Sequence, residues 1–247
     1  VHKRSSPRAI YVSNKTQMPL PCAVITGSSS GIGRCITEQL LNHGWRVIGL
    51  DIVPSSIENP HLTTIHADLS DESSITSVVN ALPNAEAFIH AAGILRVGRL
   101  GELNSDNGEL MWRIHTQAAI SLSNVLIPRM AQQQQGRVVF IGSRVAQGMP
   151  GRSQYAATKA ALIALARSWA SEVASAGVTV NVVSPAATQT TMLSDPARAT
   201  SAPRLPPLGR LIQPQEIAAL VAFLLSPSAA AITGQDIAIC GGASLPH

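Results

Sequence analysis

The chain has 247 residues, 45% of them hydrophobic and 13% charged, which suits one large domain, at most two, and excludes a disordered or solvating chain. Its net charge of +4 arises in residues 1–19, where Lys3, Arg4, Arg8 and Lys15 stand without an acid, while the remainder balances 14 basic against 14 acidic residues, so no basic face for nucleic acid is expected. Cys22, Cys35 and Cys240 are too scattered for a disulfide framework or a metal site, and no apolar run approaches the length of a membrane span, so a cytoplasmic protein with neither metal nor membrane partner is expected.

Residues 1–19 lack the apolar segment of a secretory signal. They read as a flexible basic extension on a single domain spanning 20–247. Within that domain strands and helices alternate. CAVIT (22–26) reads as a buried strand, followed by the helix ITEQLLNHG and the strand RVIGLD (46–51). LTTIHAD (62–68) is a third strand, DESSITSVVNAL a short helix and AFIHAA (87–92) a fourth strand. A long helical stretch runs from Ser105 to Met130. RVVFIGS (137–143) is the fifth strand, YAATKAALIALARSWASEVA a helix and VTVNVVS (178–184) the sixth strand. QEIAALVAFLLS and QDIAIC supply the last helix and strand. Mostly apolar strands in regular βα alternation imply a doubly wound α/β fold: a Rossmann-type parallel sheet of about seven strands with helices on both faces. Proline-rich residues 196–214 read as a loop, and the segment near 190–213 as a lid or substrate loop.

Three features carry chemistry. TGSSSGIG lies between the first strand and the first helix; its Gly27, Gly31 and Gly33 permit a tight turn and a close backbone approach, and the helix start offers unpaired N–H groups to a phosphate. Asp51 ends the second strand eighteen residues after Gly33, where a carboxylate meets ribose hydroxyls and repels a 2′-phosphate. NAD is therefore expected rather than NADP, although Arg34 and Arg46 stand in reach by sequence. Asp68 suits either the adenine amino group or the cap of the next helix. Finally, Tyr155 and Lys159 share one helix face, and an ammonium beside a phenol lowers the phenol pKa toward the range of proton exchange with an alcohol or carbonyl. Ser143 closes the strand just upstream.

TGSSSGIG, HAAG (90–93), GS (142–143), YAATK (155–159) and NVVSPAATQT (181–190) follow one another as in the short-chain dehydrogenase/reductase family, which the chain resembles over residues 20–243. The resemblance implies Tyr155 as general acid/base, Lys159 as its pKa-lowering partner and ribose ligand, and Ser143 as hydrogen-bond partner of the substrate oxygen. It implies Gly27, Ser29, Gly31, Ile32 and Gly33 along the phosphate turn, Asp68 and Leu69 at the adenine, and Ala91, Ala92 and Gly93 beneath the adenosine. Pro185, Thr188 and Thr190 fall on the nicotinamide side. Three positions depart from the family pattern. His115 replaces an Asn that links the lysine to solvent, His90 opens HAAG where the family has Asn, and Ala186 replaces a Gly. His115 either preserves a proton relay, with altered pH dependence, or simply packs.

The expected activity is hydride transfer between a nicotinamide cofactor and a secondary alcohol or ketone. A non-catalytic dinucleotide-binding scaffold of the same fold is the alternative, and an epimerase or dehydratase would ordinarily need a longer C-terminal part. The walls expected at the substrate are 94–103, 144–152 and 191–212, with Leu95, Val145, Met149, Met192 and Leu193 making them modestly apolar and Arg96 or Arg144 able to meet an anion. The alanine-rich helix after Tyr155, in the family an intersubunit element, points to a homotetramer or dimer.

Overall fold

In a computed structural model, which describes residues 20–194 and 205–245, seven strands form one parallel sheet ordered β3-β2-β1-β4-β5-β6-β7. These are β1 (Cys22–Thr26), β2 (Arg46–Asp51), β3 (Leu62–His66), β4 (Ala87–His90), β5 (Gly136–Ile141), β6 (Val178–Pro185) and β7 (Asp236–Ile239). Strand order reverses between β1 and β4, so the loops leaving their C-terminal ends diverge and open a crevice there. The basic tail and residues 195–204 of the expected lid lie outside the described residues.

Buried side chains divide into two layers, one on each face of the sheet. On one face, Val24, Phe88, Val138 and Val180 pack against Leu122, Leu126 and Met130 of α4 (Ala118–Gln132) and Leu162 and Ala166 of α5 (Ser153–Val173). On the other, Ile25, Ile89, Val139 and Val183 pack against Ile36 and Leu40 of α1 (Gly31–Asn42) and Ile217, Val221 and Leu224 of α6 (Pro214–Leu225). The alternation along each strand supplies both layers. The edge strand β3 is the exception, with Thr63, Thr64 and His66 exposed. The short helix α2 (Glu72–Ala81) is capped by Asp71, whose side chain accepts from the Ser73 amide, and not by Asp68.

The stretch from Ser105 to Met130 is helical but not uniform. Between α3 (Ser105–Trp112) and α4, residues Arg113–Gln117 form a π-helical turn in which the Ala118 amide donates to the Arg113 carbonyl. The extra residue rotates the helix and directs His115 and Thr116 inward, both essentially fully buried. Among the described residues no helix is long and apolar enough to cross a membrane.

Candidate active site

The loops at the C-terminal edge of the sheet enclose a cavity of about 1200 Å³. At one end lies the glycine turn. Gly27 has φ +67°, and a β-carbon there would lie 2.8 Å from Ala92 Cα; at Gly33 it would lie 2.1 Å from the Gly27 carbonyl oxygen. Neither position admits a side chain. The N-cap residue Ser30 makes no side-chain hydrogen bond to the first turn of α1, so its amides remain available to an anion. The turn, the helix start and the long cavity fit the pyrophosphate and two nucleosides of a nicotinamide dinucleotide.

Asp51 projects beside this turn. Its Oδ2 accepts from the Ser29 amide at 2.9 Å and its Oδ1 from the Val53 amide at 3.0 Å, while the Ser29 hydroxyl donates to the Val53 carbonyl at 2.8 Å. Ser29 thus supports Asp51 rather than lining the cavity, which Ser30 does. Arg34 is engaged by Glu38 at 2.9 Å and Ser56 at 2.7 Å. Arg46 begins β2, opposite Cys22, at the far end of the sheet. The sequence-based expectation that either arginine could reach a 2′-phosphate is therefore corrected for Arg46, by strand direction. Asp68 and Leu69 line the adjoining wall; Asp68 Oδ1 accepts from the Ser70 amide and hydroxyl.

Ala91, Ala92 and Gly93 form the cavity wall after β4. Thr26, not singled out in the sequence, anchors them. Its hydroxyl oxygen accepts from the Ala91 and Ala92 amides at 3.1 and 3.2 Å and lies 2.9 Å from His90 Nδ1. With both lone pairs used, the hydroxyl proton goes to Nδ1, which leaves the His90 proton on Nε2. Burial and the charge of Lys159 hold His90 neutral, its pKa down to about 3.

His115 stands behind Gly93 and does not line the cavity. Its Nε2 accepts from the Ile94 amide at 3.0 Å, so its proton sits on Nδ1, 2.8 Å from Thr158 Oγ1. Thr158 passes its own proton to the Tyr155 carbonyl at 2.8 Å. Both ring nitrogens are thereby committed, and desolvation, with Lys159 and His90 nearby, keeps the imidazole pKa well below its ordinary value. The ring lies edge-on to Tyr155 at 5.5 Å between centroids. A β-carbon on Gly93 would come 3.1 Å from His115 Nε2 and 3.5 Å from Lys159 Nζ, which accounts for glycine there.

Ser143, Tyr155 and Lys159 line the same cavity, Lys159 close beside Gly93. Ser143 Oγ accepts from the Val145 amide at 3.2 Å, which leaves its proton for a ligand. Lys159 is buried, donates to the Ile141 carbonyl at 2.8 Å, and lies 5.9 Å from the Tyr155 ring centroid. Burial alone lowers its pKa to about 7. Beyond β6, Pro185, Thr188 and Thr190 close the cavity. Thr188 is pinned by its hydrogen bond to the Ala186 carbonyl and by a bridge to Ile212. Ile32, Gly31 and Gly33 also line the cavity, with the Thr190 methyl 3.5 Å from where a Gly31 β-carbon would stand. Of the expected substrate walls, Leu95, Arg144, Val145, Met149, Met192 and Leu193 line it, whereas Arg96 and Gln147 do not.

Glycine turn, parallel sheet and a shared cavity lined by Ser143, Tyr155 and Lys159 fit a dinucleotide-dependent oxidoreductase. The family profile described as Enoyl-(Acyl carrier protein) reductase matches residues 27–244. The chain is 34% identical over 234 residues to the 3-oxoacyl-(acyl-carrier-protein) reductase FabG of Vibrio cholerae, and 36% identical to that of Escherichia coli; each alignment covers 89% of this chain and 96% of the relative. A solved short-chain dehydrogenase family protein from Francisella tularensis superposes with a TM-score of 0.83 at 28% identity, over 92% of this chain and all of that one. The chain belongs to the short-chain dehydrogenase/reductase family and is an NAD(P)-dependent enzyme of that family.

Proposed function

We propose that the protein interconverts a ketone and a secondary alcohol, with NAD(H) favoured over NADP(H). The observation that carries the reading is the convergence of Ser143, Tyr155 and Lys159 on the cavity that also holds the glycine turn. The bound nicotinamide supplies or accepts the hydride. The chain's own groups bind, orient and move the proton. Ser143 donates its free hydroxyl proton to the substrate oxygen. The Tyr155 hydroxyl exchanges a proton with that oxygen, giving it up in reduction and taking it in oxidation. Lys159, held by the Ile141 carbonyl, favours the phenolate while it carries its charge. Pro185, Thr188 and Thr190 keep the nicotinamide side in place, and Asp68 and Leu69 flank the adenine.

Three observations support NAD. Asp51 is fixed by two amides beside the turn, Arg34 is already paired, and Arg46 is remote. A carboxylate held there accepts hydrogen bonds from ribose hydroxyls and repels a 2′-phosphate. The named relatives make 3-oxo compounds the first ketones to test. Exposed Ala157 and Ala164 on α5 favour close association of subunits into a homotetramer or dimer, and the reading is of a cytoplasmic enzyme.

Incubation of the purified protein with methyl 3-oxobutanoate and NADH or NADPH, followed at the absorbance of reduced nicotinamide, tests the proposal. Turnover with NADH preferred is expected. Tight cofactor binding without turnover of this or other ketones and alcohols would instead make the protein a dinucleotide-binding scaffold.

A further inference from the structure

Charged residues on the cavity are segregated. Asp51 and Asp68 lie at the end formed by β2 and β3. Arg99, Arg144 and Arg152 lie at the other, and Lys159 sits between; among the described residues no carboxylate lines the arginine end. The three arginines come from three segments that the backbone ties together. Gly98 bridges Arg152, and the Gly98 amide donates to the Gly151 carbonyl at 3.0 Å, so the Arg99 loop is stitched to the start of α5. Arg152 stands one turn before Tyr155, its carbonyl accepting from the Ala156 amide at 2.8 Å. Arg144 directly follows Ser143. Two of the three guanidinium-bearing residues are therefore placed by the same turns that place the proton-exchanging side chains.

Three arginines elsewhere are matched by acids, while Arg129 and Arg137 bond backbone carbonyls. Arg34, Arg113 and Arg210 pair with Glu38, Glu109 and Glu216. No described carboxylate pairs with Arg99 or Arg144. The lining also carries apolar Leu95, Val145, Met149 and Met192, which belong to one packed cluster with Tyr155. A lining that combines apolar side chains with guanidinium groups lacking a carboxylate partner suits a molecule with a hydrocarbon part and an anionic group, because guanidinium groups recognise carboxylate and phosphate through paired N–H donors.

We propose that the substrate carries an anionic group, carboxylate or phosphate, which Arg99 and Arg144 receive while its carbonyl or hydroxyl carbon lies at Tyr155. This inference rests on the oxidoreductase reading for the position of the reacting carbon. The charge recognition stands independently of turnover and is tested by binding.

The test is calorimetric titration of the enzyme saturated with whichever of NAD+ and NADP+ binds more tightly, so that the glycine turn cannot capture the probe. The probes are benzoate, phenyl phosphate and the neutral benzamide. At least one of the two anions is expected to bind at one site per chain, about tenfold or more tighter than benzamide, and the stronger one identifies the anion. Arg99→Gln and Arg144→Gln are each expected to reduce that margin several-fold, and the double variant to abolish it. Equal binding of benzamide and both anions, or a margin that survives in the double variant, would overturn the proposal. A parallel assay compares 3-oxobutanoate with its methyl ester. Reduction of the ester without preference for the acid would count against the anion site alone. Anion binding that responds to the two substitutions, with no ketone reduced, would remove the oxidoreductase reading and leave the anion site standing.

Discussion

His115 Nδ1 lies 2.8 Å from Thr158 Oγ1, and that contact joins two walls of the site. From Ile94 through the imidazole to Thr158 and the Tyr155 carbonyl, each proton has one place to go. The imidazole thus ties the loop under the cofactor to the turn of α5 that carries Tyr155. It is not among the residues lining the cavity, and both ring nitrogens are engaged, which fits a positioning role.

Thr158→Val keeps the shape of the side chain and removes the acceptor, stranding a buried N–H at a cost of about 1–3 kcal/mol. Turnover is expected to fall about tenfold and cofactor affinity to weaken, while Thr158→Ser, which keeps the hydroxyl, stays near wild type in both and in its pH profile. Steady-state kinetics across pH, with cofactor titration, would check this. A Val variant equal to the Ser variant would show that the bond positions nothing.

Both buried histidines make the fold acid-sensitive. Each folded-state pKa lies below the ordinary value of 6.5, at about 3 for His90. Between pH 6.5 and 3 the unfolded chain therefore binds more protons, so stability falls as pH falls, by about 1.4 kcal/mol per unit for each histidine once well below its unfolded pKa. Urea midpoints are expected to drop between pH 7 and 5, and less steeply in His90→Gln. A midpoint flat over that range would contradict the assignment of two neutral imidazoles.

Lys159 acts with the same sign on the alkaline side of neutrality. Burial brings its pKa to about 7 from 10.5, so the fold favours the neutral amine, and this penalty on stability is relieved as pH rises from 7 toward 10.5. A dinucleotide brings negative phosphates into the same cavity and favours the ammonium. Cofactor binding at pH 8 should then take up protons, seen as a difference in calorimetric heat between buffers of unlike ionisation enthalpy. Lys159→Met should lose that uptake. Equal heats for the wild type in both buffers would count against a lysine poised near neutrality.

The proposed NAD preference assigns the discrimination to the charge of Asp51. Asp51→Ser is expected to lower the ratio of NADH to NADPH efficiency by about tenfold or more, since like charges forced together cost several kcal/mol. The measurement is kcat/KM for the two cofactors. An unchanged ratio would move the selection elsewhere.

Period and punctuation made most of this protein readable. Apolar runs of strand length, broken by helices, gave seven parallel strands, and the glycine turn and Asp51 lie where βα logic puts them. The weaker readings share a cause. The π-helical turn at Arg113–Gln117 leaves no mark in a 3.6-residue pattern, so the inward aim of His115 could not be read. Thr26 and Thr158 looked like ordinary strand and helix residues, because the partners that tie them to the site, Ala91 and His115, lie more than forty positions away in sequence. Arg46 stood near Asp51 in sequence but lies at the opposite end of β2, a matter of strand direction alone. That Arg99 and Arg144 line one cavity also needed the fold, since the bridge from Gly98 to Arg152 that holds the Arg99 loop to the start of α5 is tertiary.

The central claim is that the Tyr155 hydroxyl is the group that exchanges a proton with the substrate oxygen. Tyr155→Phe removes one oxygen from a side chain packed against Leu95, Met111 and Val145 and leaves the glycine turn untouched. Cofactor affinity and single-turnover reduction of a 3-oxo ester should be measured on the same preparation. Affinity within about twofold of wild type with turnover reduced at least a hundredfold is the predicted result. Reduction at a near-normal rate in the Phe variant would contradict it.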